Sequence, residues 1–281
     1  MNRLARSLVI TALCAAAGRA QTVEIYSLLH RVDPFGRTVA ADRAIAPREI
    51  LSPAVPRNGF VSFHIAITLP AGDDYLLYVV PNPLNACKVA LYKEHFVKTR
   101  DGFAPDTLTE LHRLPDFGVV PDPDDRIEGQ TTRLYLLDLW VRPDAAVARF
   151  RVEVQVKMGT WTVRPMEVRV TPPRVPELPA AADFPAAPVD APADATVLEA
   201  MGEYFAGAKP APPRELRTVR DVIRRNAAQD MALAPSLGPA EMMRRALDLL
   251  DVNTRFVPRL LGAEWYLRIQ DALYAGSVKV R

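Results

Sequence analysis

Between Thr22 and Val170 the apolar residues of this chain recur at every second position. In the segment FVSFHIAITL, Val61, Phe63, Ile65, Ile67 and Leu69 share one face, while Ser62, His64 and Thr68 share the other. The segment VARFRVEVQVK repeats the arrangement, with Phe150, Val152, Val154 and Val156 set against Arg149, Arg151, Glu153, Gln155 and Lys157. Strict alternation is the mark of a half-buried antiparallel strand, with one face on a core and one in water. Further strands are expected over 23–29, 45–51, 75–81, 88–97, 132–141 and 161–170, about eight in all, separated by Pro/Gly/Asp/Asn turns such as 70–74 and 142–144. Short strands at this spacing, without helices between them, predict an antiparallel β-sandwich. Residues 98–130 interrupt the rhythm, being polar and proline-punctuated apart from a helical turn near 108–111. A connection this long is often functional, so it is the first place to expect a binding surface.

The pattern changes at residue 171. Prolines 172, 173, 176, 179, 185, 188 and 192 lack the backbone donor that helix or central strand requires, and the intervening alanines bury little. The tract reads as a semi-stiff acidic spacer, or as a strap anchored by Leu178 and Phe184. Beyond it, Thr196 and Glu199 have capping-box spacing, and the apolar period becomes helical. Leu216, Val219, Val222, Ile223, Ala227 and Met231 fall on one side of a helix. Arg217, Arg220 and Arg224 fall on the other, as a basic solvent face. Pro235 ends this helix and Pro239 opens another, with Met242, Met243, Leu247 and Leu250 inward. A third begins at Asn253-Thr254 and carries Phe256, Leu260, Leu261 and Trp265. The expected architecture is therefore β plus α: an N-terminal sandwich over 21–175, a Pro/Ala-rich linker over 176–195, and a small helical bundle over 196–281.

The first residues belong to neither part. Arg3 and Arg6 precede an apolar run from Leu8 to Ala17, and Gly18 and Ala20 supply small residues before Gln21. This is the layout of a secretory signal peptide over 1–20, so the chain is expected to be exported, to a periplasm or the extracellular space. No later stretch approaches the ~20 apolar residues of a membrane-spanning helix. Removal of the leader takes Cys14 with it and leaves Cys87 as a single thiol, expected to be buried and inert.

The charge balance excludes a generic nucleic-acid partner. The chain carries a net charge of +2, neutral over 22–175, −5 over 176–213 and +4 over 214–281. The acidic tract could fold back on the basic end, or the helices could face an anionic partner.

Enzyme signatures are sparse. There is no phosphate loop, Gly-x-Ser-x-Gly elbow, His-Glu-x-x-His or Cys-x-x-Cys. Asp116-Phe117-Gly118 matches a kinase tripeptide by chance, since no other kinase element accompanies it. His30, His64, His95 and His112 are scattered without metal-ligand spacing. No cofactor is indicated beyond Ca2+, for which Asp122, Asp124, Asp125 and Glu128 offer alternate carboxylates. Tyr75, Tyr78, Tyr92 and Trp140 are the aromatic candidates for a glycan platform. Glu94, Glu110, Asp116 and Asp138 are the carboxylates that glycosidase chemistry would draw on. The alternation and turns resemble the accessory sandwiches of secreted carbohydrate-active proteins, although no motif carries the resemblance. Two functions follow as expectations. The first is a non-catalytic envelope or extracellular module binding a protein or glycan, with the helices as docking or oligomer contacts. The second is a secreted glycan hydrolase, or its accessory domain, using carboxylates of the 98–130 loop.

Overall fold

A computed structural model describes residues 21–43, 52–176, 190, 213 and 215–233. Within these, ten strands form two five-stranded sheets. The strands are β1 (Thr22–Ser27), β2 (Ala54–Arg57), β3 (Phe60–Thr68), β4 (Asp74–Asn82), β5 (Cys87–Thr99), β6 (Gly102–Glu110), β7 (Asp116–Val119), β8 (Thr132–Val141), β9 (Arg149–Met158) and β10 (Thr160–Arg174). The first sheet has the order β1-β3-β8-β5-β6 and the second β2-β10-β9-β4-β7. All pairings are antiparallel except β2 with β10, which is parallel.

The core lies between the sheets and follows from the alternation. Phe63, Ile65 and Ile67 of β3 and Leu137 and Leu139 of β8 meet Leu77 and Val79 of β4 and Val152, Val154 and Val156 of β9. The opposite parity of the first sheet is also buried. Ser62, His64, Glu94, Asp106 and Asp138 all face away from this core and yet are almost fully enclosed. Two segments cover them. One is the chain from Leu28 to Asp42, which closes with a short 3-10 turn at Ala40–Asp42. The other is a helix, α1 (Val219–Leu233), which packs on β3 and β6.

Helix α1 starts where a capping box places it: the Thr218 hydroxyl accepts from the Asp221 amide at 3.2 Å, and the Asp221 carboxylate accepts from the Thr218 amide at 2.9 Å. The Leu108 amide bonds the Arg217 carbonyl at 2.8 Å, tying the approach to the edge of β6. The contact itself is polar. Arg225 reaches both oxygens of Asp138, at 2.7 and 2.6 Å, and stacks 3.9 Å from the Phe60 ring centre. Ser62 donates to Asp138 at 2.7 Å and accepts from Asn226 at 3.1 Å. Gln229 accepts from the Phe60 amide at 2.6 Å and donates to its carbonyl at 3.1 Å, behaving as one more strand residue. Arg220 pairs with Asp106. Burial pushes the Asp106 carboxyl up and the Arg220 guanidinium down, against their mutual attraction.

The second anchor is His64. Its Nδ1 lies 2.8 Å from Glu94 Oε1 and its Nε2 lies 3.0 Å from the Leu28 carbonyl. With Glu94 as the carboxylate both neighbours accept, and the doubly protonated imidazolium satisfies both. Burial opposes that charge, but Glu94 and the two hydrogen bonds outweigh it and raise the pKa of His64.

The structure corrects the expected architecture. Among the described residues there is one α-helix and no helical bundle, and the sandwich carries ten strands instead of eight. The helix is not a separate unit with a basic solvent face. Arg220 and Arg224 are buried, Arg220 against a sheet carboxylate, and only Arg217 is exposed, beside Glu215 at 2.5 Å. The arginines pass for a solvated face in sequence because the acids they meet are distant in the chain and themselves pass for solvated strand faces. Residues 98–130 are not one irregular connection, since they contain β6 and β7. Pro172 and Pro173 belong to β10, which they enter beyond its last β9 partner, Arg169. The pairing with β2 shifts register across these prolines, between Thr171 and Arg174, and the Pro172 carbonyl accepts from the Arg57 side chain at 2.8 Å. The leader over 1–20, the strand expected over 45–51, nearly all of the Pro/Ala tract beyond Pro176, and the helices expected after Pro235 lie outside the described residues. Among the described residues no helix is long and apolar enough to cross a membrane.

Two outcomes are expected. Arg225→Ala strands the Asp138 carboxylate in a desolvated contact and should cost about 3–5 kcal/mol, measured by urea denaturation. A wild-type midpoint would refute this. Because the His64 pKa is raised, its stabilisation is complete below the ordinary 6.5 and is lost as pH rises through the folded value. The denaturation midpoint of wild type relative to His64→Gln should therefore fall across that window, and a pH-independent difference would contradict the imidazolium.

Candidate binding face

While the outer side of the first sheet is covered, the outer side of the second carries large apolar side chains into solvent. Its strands place residues in rows. The register Phe117–Leu76, Leu76–Lys157 and Lys157–Trp161 aligns one row across β7, β4, β9 and β10. The next row is Tyr78, Gln155 and Val163, and the following one is Val80, Glu153 and Pro165. Phe117 is 75% exposed, Trp161 53%, Val163 44%, Val119 39% and Tyr78 38%. Large apolar groups grouped on one sheet face are the informative exception to a polar surface. Toward the far end the face turns polar. Arg151 pairs with Glu153 at 2.8 Å and Arg149 with Glu167 at 2.9 Å, beside a shallow depression of about 470 Å³.

Beneath β7 lies a smaller cavity of about 150 Å³, lined by Tyr75, Tyr135, Asp116, Lys93 and Arg133 among others. The Tyr75 and Tyr135 hydroxyls are 2.5 Å apart, and Tyr135 donates to Asp116 at 2.6 Å. Burial pushes Tyr75 up to about 12 and Tyr135 well above its ordinary value. Both phenols stay protonated near neutral pH and serve as hydrogen-bonding groups, not nucleophiles. The Tyr75 ring runs so close under β7 that a Cβ on Gly118 would fall 2.2 Å from its hydroxyl. Glycine at 118 is thus what lets the edge strand lie down over the tyrosine and project Phe117 outward.

The sequence candidates divide among different surfaces. Tyr75 is in the core. Tyr78 is on the open face. Tyr92 is buried on the outer side of the first sheet. Trp140 is half-buried at the end of that sheet, its indole donating to Asn58 at 3.2 Å with the Lys88 amine 5.4 Å from its ring. Asp122, Asp124 and Asp125 do gather, but around cations: Lys93 lies 2.8 Å from both Asp122 and Asp124, and Arg133 bridges Asp122 and Asp125. His95 completes the group, 2.7 Å from Asp125, while Glu128 is exposed apart from them. The Lys93 hydrogen bond holds Asp124 below the usual carboxylate range. Among the described residues no group of three or more His, Cys, Asp or Glu is arranged to hold a metal ion. The four carboxylates considered for hydrolysis are each engaged separately: Glu94 by His64, Asp116 by Tyr135, Asp138 by Arg225, and Glu110 at 4.0 Å from His112. Burial pushes the Cys87 thiol up to about 11, so it is not a thiolate at neutral pH.

Phe117, Leu76, Trp161 and Val163 were not singled out by alternation, yet two signals for them exist. In β10 the apolar parity switches between Val163 and Met166, leaving Trp161 and Val163 out of phase with the core-facing Met166, Val168 and Val170. In β4 both parities are apolar, so one of them must face outward or under a cover.

No protein-family model matches the chain, and no curated protein matches it in sequence. Structural neighbours include a glycoside hydrolase and cohesins. The family 123 glycoside hydrolase from Clostridium perfringens is 9% identical, with a TM-score of 0.37 over 56% of this chain. This chain spans only 28% of that enzyme. The protein CaCohA2 from Clostridium acetobutylicum is 11% identical, with a TM-score of 0.26 over 43% of this chain and 86% of its own. A PapD-like domain of human CEP192 is 6% identical, with a TM-score of 0.24 over 62% of this chain and 99% of its own. Likeness at this level carries no information on ligand or activity.

Gly118→Ala should drive Tyr75 from its place under β7 and destabilise the protein by roughly 1–3 kcal/mol, read by chemical denaturation. An unchanged midpoint would show that the edge strand has room to lift.

Proposed function

We propose that this chain is a non-catalytic binding module of the cell envelope or extracellular space, holding a protein or glycan partner on the open face of β7, β4, β9 and β10. The reading rests on one observation, the unequal treatment of the two sheets. On the first sheet even charged side chains are roofed over by α1 and the 28–42 segment. On the second, Phe117 and Trp161 stay more than half exposed. Leaving such groups in water forgoes about 25 cal/mol for each Å² that a cover would bury, a cost that a partner can recover. Aromatic side chains are also the residues that most often dominate binding energy, because large rigid surfaces lose little entropy on contact. Export is part of the proposal and stands on the leader-like residues 1–20. The carboxylate partners described above favour no hydrolytic pair.

The test uses immobilised polysaccharides and envelope-protein extracts, with the full chain and its Phe117→Ala/Trp161→Ala double variant. The wild-type chain should be retained on at least one matrix, and the double variant should lose about tenfold or more in affinity, equivalent to ~1.4 kcal/mol or more. Thermal unfolding should be little changed, since both side chains point into solvent. Equal retention of the two proteins would remove the open face from consideration.

A further inference from the structure

The open face has a feature that bears on the kind of partner, and the inference from it rests on the binding function proposed above. Lys157 stands in the row between Leu76 and Trp161 and makes no ion pair among the described residues. The acids that share β9 and β10 with it are already matched, Glu153 by Arg151 and Glu167 by Arg149. Asp74 lies on the same side, at the margin opposite Val119. The centre of the aromatic row therefore carries an unpaired ammonium, and the unpaired carboxylate of Asp74 sits one row away at the margin.

The size of the face matters as well. Strands about 4.8 Å apart and residues about 3.4 Å apart along each strand give the two apolar rows a footprint on the order of 300 Å² once side-chain width is included. A stable protein interface needs about 800 Å² from each partner, so these rows alone are too small for one. They suit a chain-like ligand a few rings long, lying across the strands for the roughly 14 Å from Phe117 to Trp161. Within the rows, aromatic and aliphatic side chains alternate with Lys157 and Gln155. A pyranose ring presents a matching surface, with apolar C–H groups on its faces and hydroxyls at its edge.

We infer that the open face binds an acidic glycan, whose sugar rings stack on Trp161 and Phe117 while a uronate carboxylate meets the Lys157 amine. The charge between the two stacking positions selects anionic over neutral chains, and bulk salt weakens the contact because the amine is exposed.

Affinity electrophoresis of the full chain decides this, in gels containing a polyuronate or a neutral glucan, with Lys157→Gln and Trp161→Ala alongside wild type. The expected result is retardation in the polyuronate gel only. Lys157→Gln should weaken it about tenfold and Trp161→Ala should abolish it. Equal retardation in both gels, unaffected by Lys157→Gln but lost in Trp161→Ala, overturns the acidic ligand and leaves the open face as a binding site. Absence of retardation in either gel, with a protein partner lost from the double variant described above, overturns the glycan and likewise leaves the face. Retardation unchanged in every variant overturns both.

Discussion

The enclosed contact between α1 and the first sheet governs the rest of the molecule. Two polar surfaces meet there, and each supplies what the other lacks: Arg225 for Asp138, Arg220 for Asp106, and Gln229 for the backbone of Phe60. A carboxylate removed from water costs several kcal/mol unless it is paired and its remaining lone pairs are filled. The bidentate arginine and the Ser62 hydroxyl do both for Asp138. Such a contact gains little over an apolar one of the same shape, but it accepts only the matching helix in the matching register. Its contribution is to specificity of docking more than to net stability.

The same principle holds at the 28–42 cover. His64 bridges Glu94 and the Leu28 carbonyl, with a pKa raised by that carboxylate, and Arg31 meets Asp42 at 2.7 Å where the segment closes on itself. Strand β8 consequently lies buried on both faces from Thr132 to Leu139. With one sheet sealed by charge-matched partners, the other is left as the broad sheet surface open to solvent among the described residues. Its aromatic row is positioned by the short edge strand β7, which Gly118 allows to rest on Tyr75. The open face and the sealed face are thus two consequences of one asymmetric sandwich.

The alternation was sufficient to read β3, β8 and β9 and the residues that fill the core, since a period of two has one geometric meaning where one face is apolar. It could not separate Tyr75, Tyr78, Tyr92 and Trp140, which occupy the core, the open face, the covered face and a sheet end, because parity tells two faces apart but not which of them is roofed. Phe117 was hidden for another reason. A four-residue edge strand between prolines has too few positions to show any period.

What the sequence determined by itself was local: the strands with a strict period, the apolar core between them, the change to a helical period beyond the proline tract, and a helix between Arg214 and Pro235 with arginines along it. Tertiary structure alone decided that Arg220 and Arg225 face sheet carboxylates and not water, and that the helix packs on the sandwich. The reason is that a charged side chain looks the same in sequence whether solvent or a distant opposite charge satisfies it. Only the path of the chain brings Asp106 and Asp138 to Arg220 and Arg225, and so determines which sheet face is covered among the described residues.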